Sequence, residues 1–180
     1  MSHKRIHIIG GPGSGKSHIA GLISARYSIP VLDLDTIFWD NCASVYGIKA
    51  DPLKRDNAMS TFLARDSWIV EGVYYAWLGA SFQKADLILA LISSIWLRDL
   101  RIVWRFFKRK LGFIPSRKKE TFKGLFQLLE WNHTYDSTNL REARAYIADL
   151  GRNISDCRNA TDALKLIEDL TNSGSRTPCS

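Results

Sequence analysis

One segment near the start of the chain constrains the fold more strongly than any other part of the sequence. Residues 6–17 read Ile-His-Ile-Ile-Gly-Gly-Pro-Gly-Ser-Gly-Lys-Ser, and from Gly10 onward they match the pattern G-x-x-x-x-G-K-[S/T]. An apolar run precedes the pattern, and a helix-like segment at 17–27 follows it. This order predicts a strand, a tight glycine-rich turn and a helix whose N-terminus faces an anion.

A turn of this kind is suited to binding a polyphosphate. Its backbone N–H groups converge on the anion and replace the water that hydrates it, while glycines allow the close approach. We expect Lys16 to reach the β- and γ-phosphates of a nucleoside triphosphate, and the Ser17 hydroxyl to complete the shell of a Mg²⁺ ion. The predicted cofactors are therefore ATP and Mg²⁺. The residues of this segment predicted to contact the nucleotide are Gly10, Gly11, Pro12, Gly13, Ser14, Gly15, Lys16, Ser17 and His18.

The length and composition favour one ordinary globular domain. The chain has 180 residues, of which 46% are apolar, and no apolar run approaches the roughly 18 residues of a membrane span. Three cysteines without metal-like spacing favour a reducing cytoplasm, and the first five residues lead into the first strand without an apolar signal segment. We therefore expect a cytoplasmic protein without a membrane partner, with a single domain over residues 1–180 and a frayed polar tail at 172–180.

The hydrophobic pattern along the chain is typical of an α/β fold. Short apolar runs alternate with helix-like segments, which predicts a parallel sheet covered by helices. The predicted strands lie near residues 5–9, 30–34, 68–71, 86–92 and 153–157. The predicted helices lie near residues 16–26, 53–66, 75–83, 94–111, 121–131, 138–149 and 160–170.

The positive charge is concentrated in one segment. Between Arg98 and Lys123 there are ten basic and two acidic residues, a net charge of +8, whereas the whole chain has a net charge of +7. The same segment carries an apolar stripe and a basic stripe, both at helical spacing. We expect the apolar stripe to pack against the domain, and the basic stripe to belong to a lid, at about residues 105–135, that closes over phosphates. The apolar stripe consists of Leu97, Leu100, Trp104, Phe107 and Leu111, and the basic stripe of Arg98, Arg101, Arg105 and Lys108.

Carboxylates end the second and third predicted strands. Asp33 and Asp35 stand at positions i and i+2, on one side of an extended chain, where they could hold Mg²⁺ through water or accept a proton from an attacking group. Alternatively, Asp35 caps a helix that begins at Thr36, and Asp33 is merely solvated. Glu71 and Gly72 could bind a phosphoryl acceptor, or they form an ordinary polar strand end with a turn glycine.

The ends of the fourth and fifth predicted strands give two further expectations. The fourth strand ends in Ile92-Ser93-Ser94, without a carboxylate where a Walker-B Asp is expected. We therefore predict that Ser17 and Asp35 are the metal-binding residues. Arg158, after the fifth strand, is predicted to lie beside the adenine of the nucleotide, although a surface loop explains this position equally well.

With these motifs, the chain resembles the DNA topology modulation protein (FlaR-like) family, P-loop kinases related to adenylate and shikimate kinases. The resemblance covers nearly the whole length of the chain. The blocks at Trp68-Ile-Val-Glu-Gly-Val-Tyr-Tyr75 and Trp131-Asn132 are more particular to it than the phosphate-binding segment. The resemblance rests on residues 6–17, 29–39, 68–77, 85–88, 98–112 and 131–132.

The resemblance implies a P-loop NTPase fold of the nucleoside monophosphate kinase type. It would have three α/β/α layers, a five-stranded parallel sheet of order 2-3-1-4-5 and a basic lid. Matched by position, Arg101 and Arg105 would be the lid arginines, and Asp33 and Asp35 resemble the acidic pair of shikimate-type kinases. The family usually ends its fourth strand with Asp-Thr-Pro, which this chain replaces with residues 92–94.

These features predict an ATP-dependent kinase that transfers the γ-phosphate to a nucleotide or small-molecule acceptor. Phosphoryl transfer requires mainly positioning and charge neutralisation, which a lysine and closing arginines supply. The acceptor is predicted to bind near Asp33, Asp35, Glu71 and Gly72. Two alternatives stay open, a nucleotide-gated protein that binds DNA weakly and without sequence preference through the +8 segment, and a degenerate nucleotide-binding scaffold. The predicted catalytic residues are Lys16, Asp33, Asp35, Arg101 and Arg105.

Overall fold

The computed structural model describes residues 4–40, 48–113 and 121–173, and a β-sheet lies at its centre. The strands are β1 (Arg5–Ile9), β2 (Val31–Asp33), β3 (Trp68–Gly72), β4 (Leu87–Leu91) and β5 (Ser155–Cys157). All five are parallel, and their order across the sheet is β2-β3-β1-β4-β5. The predicted α/β class, parallel sheet and strand order are therefore confirmed, and Rossmann-like and P-loop folds share this kind of arrangement.

The central strand β1 explains where the polar strand ends meet. It pairs with β3 on one side and with β4 on the other, and Ile6, Ile8 and Ile9 are fully buried because both faces of the sheet are covered. The register places Glu71 of β3 beside Asp33 of β2 and beside Ile8 of β1. The carboxyl ends of these three strands therefore share one edge of the sheet.

Helices pack on both faces of the sheet. They are α1 (Lys16–Tyr27), α2 (Asp35–Phe38), α3 (Pro52–Leu63), α4 (Gly79–Lys84), α5 (Ile95–Lys110), α6 (Phe122–Tyr135), α7 (Arg141–Asp149) and α8 (Ala160–Ser173). Helices α1 and α8 cover the face that carries Ile6 and Ile8, whereas α3, α4 and α7 cover the face that carries Trp68 and Val70, which gives three layers. None of the described helices is long and apolar enough to span a membrane.

Several predicted element bounds differ from the structure. The short helix α2 has no counterpart among the predicted helices, and the predicted helix at 75–83 is reduced to α4. The predicted break between 131 and 138 is wrong, because α6 continues through a π-helical turn (Asp136–Leu140) into α7. Ser, Thr and Asn in this turn are weak helix formers, but the burial of Leu140 keeps the segment helical. Helix α8 includes residues 172 and 173 of the predicted frayed tail, and residues 174–180 lie outside the described residues.

The orientation predicted for α5 is wrong. All five residues of the apolar stripe are exposed, by between 42% and 67%, and the buried face of the helix instead carries Arg98, Ile102 and Phe106. Both stripes have helical spacing, so periodicity alone does not show which of them faces the domain. Arg98 can be buried because it pairs with Asp136 in the π-helical turn. Residues 114–120 of the predicted lid lie outside the described residues.

Candidate functional site

The glycine-rich loop joins β1 to α1 and is packed between β4 and α5. Gly13 and Gly15 have φ angles of 71° and 105°, a left-handed conformation that favours glycine. A Cβ on Gly13 would lie 2.7 Å from the carbonyl oxygen of Arg98, and a Cβ on Gly10 would lie 2.8 Å from that of Leu91. Close packing as well as backbone conformation therefore requires glycines in this loop.

Lys16 begins α1 and is almost fully buried at the loop. Its Nζ donates a hydrogen bond to the carbonyl oxygen of Gly11 over 3.0 Å. Burial lowers the pKa of Lys16, and the nearby carboxylates of Glu71, Asp35 and Asp33 act in the opposite direction. A buried ammonium group among carboxylates can neutralise a negatively charged group at the loop.

A short hydrogen bond between Ser17 and Glu71 links the loop to the strand ends. The Ser17 hydroxyl donates to Oε1 of Glu71 over 2.5 Å, and Glu71 is only 3% exposed at the end of β3. Burial raises the pKa of Glu71, although the hydrogen bond from Ser17 and the charge of Lys16 lower it. The sequence predicted that Ser17 acts with Asp35. In the structure the Ser17 hydroxyl instead bonds to Glu71, and Asp35 accepts a hydrogen bond from the Tyr74 hydroxyl over 2.7 Å.

Asp33 ends β2 and Asp35 begins α2, on either side of the short turn at Leu34. Oδ1 of Asp33 accepts from the backbone N–H of Asp35 over 2.9 Å, and the Thr36 hydroxyl donates to the Asp33 carbonyl oxygen over 2.6 Å. The alternative in which Asp35 caps a helix at Thr36 is wrong, because α2 begins at Asp35 itself. Burial raises the pKa of Asp33, whereas the hydrogen bond from the Asp35 N–H lowers it. A carboxyl with a raised pKa is better suited to accept a proton than one with an ordinary value.

An aromatic group that the sequence patterns did not predict lies beside Asp35. The rings of Phe38 and Tyr74 stack with centroids 4.2 Å apart, and the guanidinium of Arg55 lies 4.3 Å from the ring centroid of Trp77. Burial raises the pKa of Tyr74, and so does its hydrogen bond to Asp35, so the hydroxyl stays protonated and donates. The aromatic residues after Glu71 are visible in the sequence, but their stacking partner in α2 is not.

Two basic residues of α5, Arg101 and Arg105, lie at the glycine-rich loop. Nη1 of Arg101 donates to the carbonyl oxygens of Gly13 and Ser14 over 3.2 and 2.9 Å. Arg105 lowers the pKa of Lys16 through its positive charge, so it also lies near the loop. Arg98 is 1% exposed, packs beside Gly11 and donates two hydrogen bonds to Asp136, over 3.0 and 2.6 Å, so its role is structural.

The remaining predicted residues lie farther from this cluster or have a structural explanation. A Cβ on Gly72 would lie 2.7 Å from the Leu34 side chain, so packing accounts for a glycine there. His18 is exposed in the first turn of α1. Arg158 is exposed after β5, and its backbone N–H donates to the carboxylate of Asp162 over 3.0 Å.

The residues of the loop fit a magnesium-bound polyphosphate. In the described part of the chain, Oγ of Ser14 is a buried polar atom without a hydrogen-bond partner. The Lys16 ammonium lies at the same loop, and the Ser17 hydroxyl is held by a carboxylate. Hydroxyl, carboxylate and phosphate oxygens are the ligands that Mg²⁺ prefers.

Comparisons with known proteins support the fold alone. No protein-family model matches the chain, and no curated protein matches it. Among solved structures, the chain is similar to an uncharacterized protein from Eubacterium ventriosum ATCC 27560, with a TM-score of 0.52 and 12% sequence identity. That similarity covers 95% of this chain and 99% of the other. The two chains therefore share an overall fold, and their low identity carries no argument about activity.

Proposed function

We propose that this chain is a P-loop kinase that binds ATP with Mg²⁺ at residues 10–17 and transfers the γ-phosphate to a nucleotide or small-molecule acceptor. The observation that carries the proposal is the meeting of three groups at one loop, the Lys16 ammonium, the Ser17 hydroxyl and the Glu71 carboxylate. The parallel sheet of order β2-β3-β1-β4-β5 supports it, because it brings the ends of β1, β2 and β3 to one edge.

Each group at the loop has a role in positioning or charge neutralisation. Lys16 supplies a positive charge in a buried place, where electrostatic interactions are stronger than in water. Glu71 accepts the Ser17 hydroxyl proton in a hydrogen bond and thereby leaves the Ser17 oxygen lone pairs free for a metal ion. When bound, Mg²⁺ would neutralise charge on the phosphates. Glu71 thus supplies the carboxylate that is missing from the end of β4, in place of the predicted Asp35.

The acceptor is proposed to bind beside the phosphate site, at the end of β2, where Asp33 and Asp35 lie. Asp33 is a candidate proton acceptor because its pKa is raised by burial and its strand end adjoins Glu71. Asp35 and its partner Tyr74 would orient the acceptor, because the tyrosine hydroxyl holds the carboxylate in one position. Arg101, anchored on the loop carbonyls, would stabilise negative charge on the transferring group if it turned from the loop toward the phosphates.

The direct test is ADP release from ATP and Mg²⁺ in the presence of nucleotide and hydroxyl acceptors, measured one acceptor at a time. Lys16→Ala should lower the acceptor-stimulated rate by roughly 10²- to 10³-fold, since it removes a charge that acts on the transferring group. Lys165→Ala, on α8 and away from the loop, is the matched control and should retain the rate of the unmodified protein. Equal rates for the two variants would show that the loop is not a phosphoryl-transfer site.

The two alternatives have less support. A DNA-binding role would use the basic side chains of the +8 segment, but two of them are already engaged, since Arg98 is buried and Arg101 is bonded to the loop. A degenerate scaffold was suggested by the missing carboxylate after β4, for which Glu71 is a replacement. Calorimetry that detects ATP binding, together with no ADP release for any acceptor tested, would favour the scaffold over the kinase.

A further inference from the structure

Exposed apolar side chains are concentrated on one part of the molecule. Among the described residues thirteen large apolar side chains are exposed, and nine of them lie between Trp96 and Phe126, on α5, on α6 and just after α5. Single exposed apolar residues are ordinary, but a contiguous group of this size marks an interaction surface. We call the following exposed residues of α5 the outer face: Trp96, Leu97, Leu100, Trp104, Phe107 and Leu111, the last of which is the C-cap.

The outer face is opposite the side of α5 that packs on the domain. The inner side carries Arg98, Ile102 and Phe106, which are buried. At 100° per residue, the outer-face residues fall within an arc of about 100° on the other side of the helix. The side chains of this arc are exposed, and among the described residues they lie outside the buried core clusters.

Positive charges border the outer face. Nζ of Lys108 lies 5.0 Å from the ring centroid of Trp104, and Nζ of Lys110 lies 3.7 Å from that of Phe122 on α6. Helix α5 contains six basic residues and one acidic residue, Asp99. Asp99 accepts hydrogen bonds from Asn132 and His133 of α6, each over 2.7 Å, so its charge is directed to the α5–α6 interface and away from the outer face.

This combination of groups restricts the partner. A second copy of the chain would bring two α5 helices together, each with six basic residues and with its one acidic residue, Asp99, bonded to α6. Duplex DNA would attract the lysines but would leave the tryptophan and leucine side chains without an apolar environment. An anionic bilayer surface suits both the basic and the apolar side chains, because its headgroups attract lysine while the acyl boundary accepts tryptophan, phenylalanine and leucine.

We propose that the outer face of α5, together with Phe122 and Phe126 of α6, docks on the surface of an anionic lipid bilayer. The helix would lie in the plane of the interface, with its apolar arc immersed and the lysines at the headgroups. This inference does not depend on the proposed kinase activity, since Gly13 of the glycine-rich loop packs against Arg98 and Ile102 on the inner side of α5.

The experiment is sedimentation of the full chain with two kinds of vesicle, phosphatidylcholine alone and equal parts phosphatidylcholine and phosphatidylglycerol. We expect binding to the anionic vesicles, weakened by salt, with a blue shift of tryptophan emission. Leu100→Gln should weaken this binding at least about tenfold, because it removes an apolar side chain from the immersed arc. Leu53→Gln on α3 is the matched control, since Leu53 is 70% exposed and Leu100 is 66% exposed, and it should bind as the unmodified chain does.

A second variant tests the charge separately. Lys108→Gln should weaken binding to the anionic vesicles about fivefold, the effect of one lysine near an anionic surface, without changing binding to neutral vesicles. Thermal melting of each variant checks that it is folded. The proposal is overturned if anionic and neutral vesicles bind equally, or if Leu100→Gln and Leu53→Gln behave alike. A dimer that Leu100→Gln dissociates, or Leu100-dependent binding to duplex DNA, without vesicle binding would also overturn it.

Discussion

The contact between the glycine-rich loop and α5 can be tested by adding one methyl group. In Gly13→Ala, the new Cβ would lie 2.7 Å from the backbone carbonyl oxygen of Arg98, closer than real Cβ atoms approach oxygen. That carbonyl cannot easily move, because the Arg98 side chain is held by two hydrogen bonds to Asp136. Gly13 also has a φ of 71°, which an alanine adopts only with strain.

Gly151→Ala separates the two effects. Gly151 follows α7 with a φ of 68°, and among the described residues no heavy atom beyond its chain neighbours lies within 4 Å of the place that its Cβ would take. This control therefore measures conformational strain alone, about 1 kcal/mol. Gly13→Ala should show the same strain plus about 1–3 kcal/mol of overpacking, which gives about 2–4 kcal/mol in total.

The assay is urea unfolding of both variants and the unmodified chain, followed by circular dichroism. Gly13→Ala should lower the free energy of unfolding by about 2 kcal/mol more than Gly151→Ala, and its melting temperature by roughly 4–8 °C more. Gly13→Ala should also weaken ATP binding in calorimetry, because the loop must shift away from α5, while Gly151→Ala should not. Equal destabilisation by the two substitutions would refute the packing of α5 on the loop.

Three further predictions concern other contacts of the site and the core. Glu71→Gln should weaken the apparent Mg²⁺ affinity about 10- to 100-fold in the ADP-release assay, because the glutamine amide can still accept from the Ser17 hydroxyl but carries no negative charge. An unchanged Mg²⁺ dependence would exclude Glu71 from the metal site. Burial lowers the pKa of His7 from 6.5 to about 3, so the unfolded chain takes up a proton at a higher pH than the folded chain. The free energy of unfolding should therefore fall as the pH drops from 6.5 toward 3, by up to about 1.4 kcal/mol per pH unit. Urea unfolding at several pH values checks this, and His7→Asn should flatten that part of the profile. Arg98→Met should lower the free energy of unfolding in urea by about 3 kcal/mol. This is the lower end of the range for breaking a buried ion pair, because Asp136 is partly exposed. Adding Asp136→Leu should recover part of the loss, because it removes the unpaired carboxylate.

Local patterns predicted those parts of the protein whose contacts are close in sequence. The strand, turn and helix around Gly10 to Ser17 follow from a run of glycines between an apolar segment and a helix-forming one, and the structure has β1 and α1 at these places. The bounds of the five strands agree with the predicted bounds to within two residues, and the buried strands β1, β3 and β4 were visible as short apolar runs. The strand order was implied by the resemblance of the chain to a kinase family, and the observed sheet has that order.

Contacts between distant residues account for the predictions that were wrong. Ser17 and Glu71 are 54 positions apart, and Arg98 and Asp136 are 38 apart, so neither pair has a local signal. The buried face of α5 is neither of the two predicted stripes, since it combines Arg98 with Ile102 and Phe106, and Arg98 can be buried there because it pairs with Asp136 in the π-helical turn. The predicted gap at 132–137 is helical in the structure, where α6 continues into the π-helical turn and Leu140 of that turn packs in the core.

The sequence by itself therefore determined the glycine-rich loop, the alternation of strands and helices, and the presence of a basic, apolar segment after β4. Each of these depends on residues within a turn or two of one another, where backbone sterics and burial periodicity act directly. Only the tertiary structure decided that Glu71 holds Ser17, that Arg98 lies inside, and that the tryptophans and leucines of α5 face outward. These outcomes depend on which elements the sheet brings together, and side-chain spacing along one element carries no information about its partner.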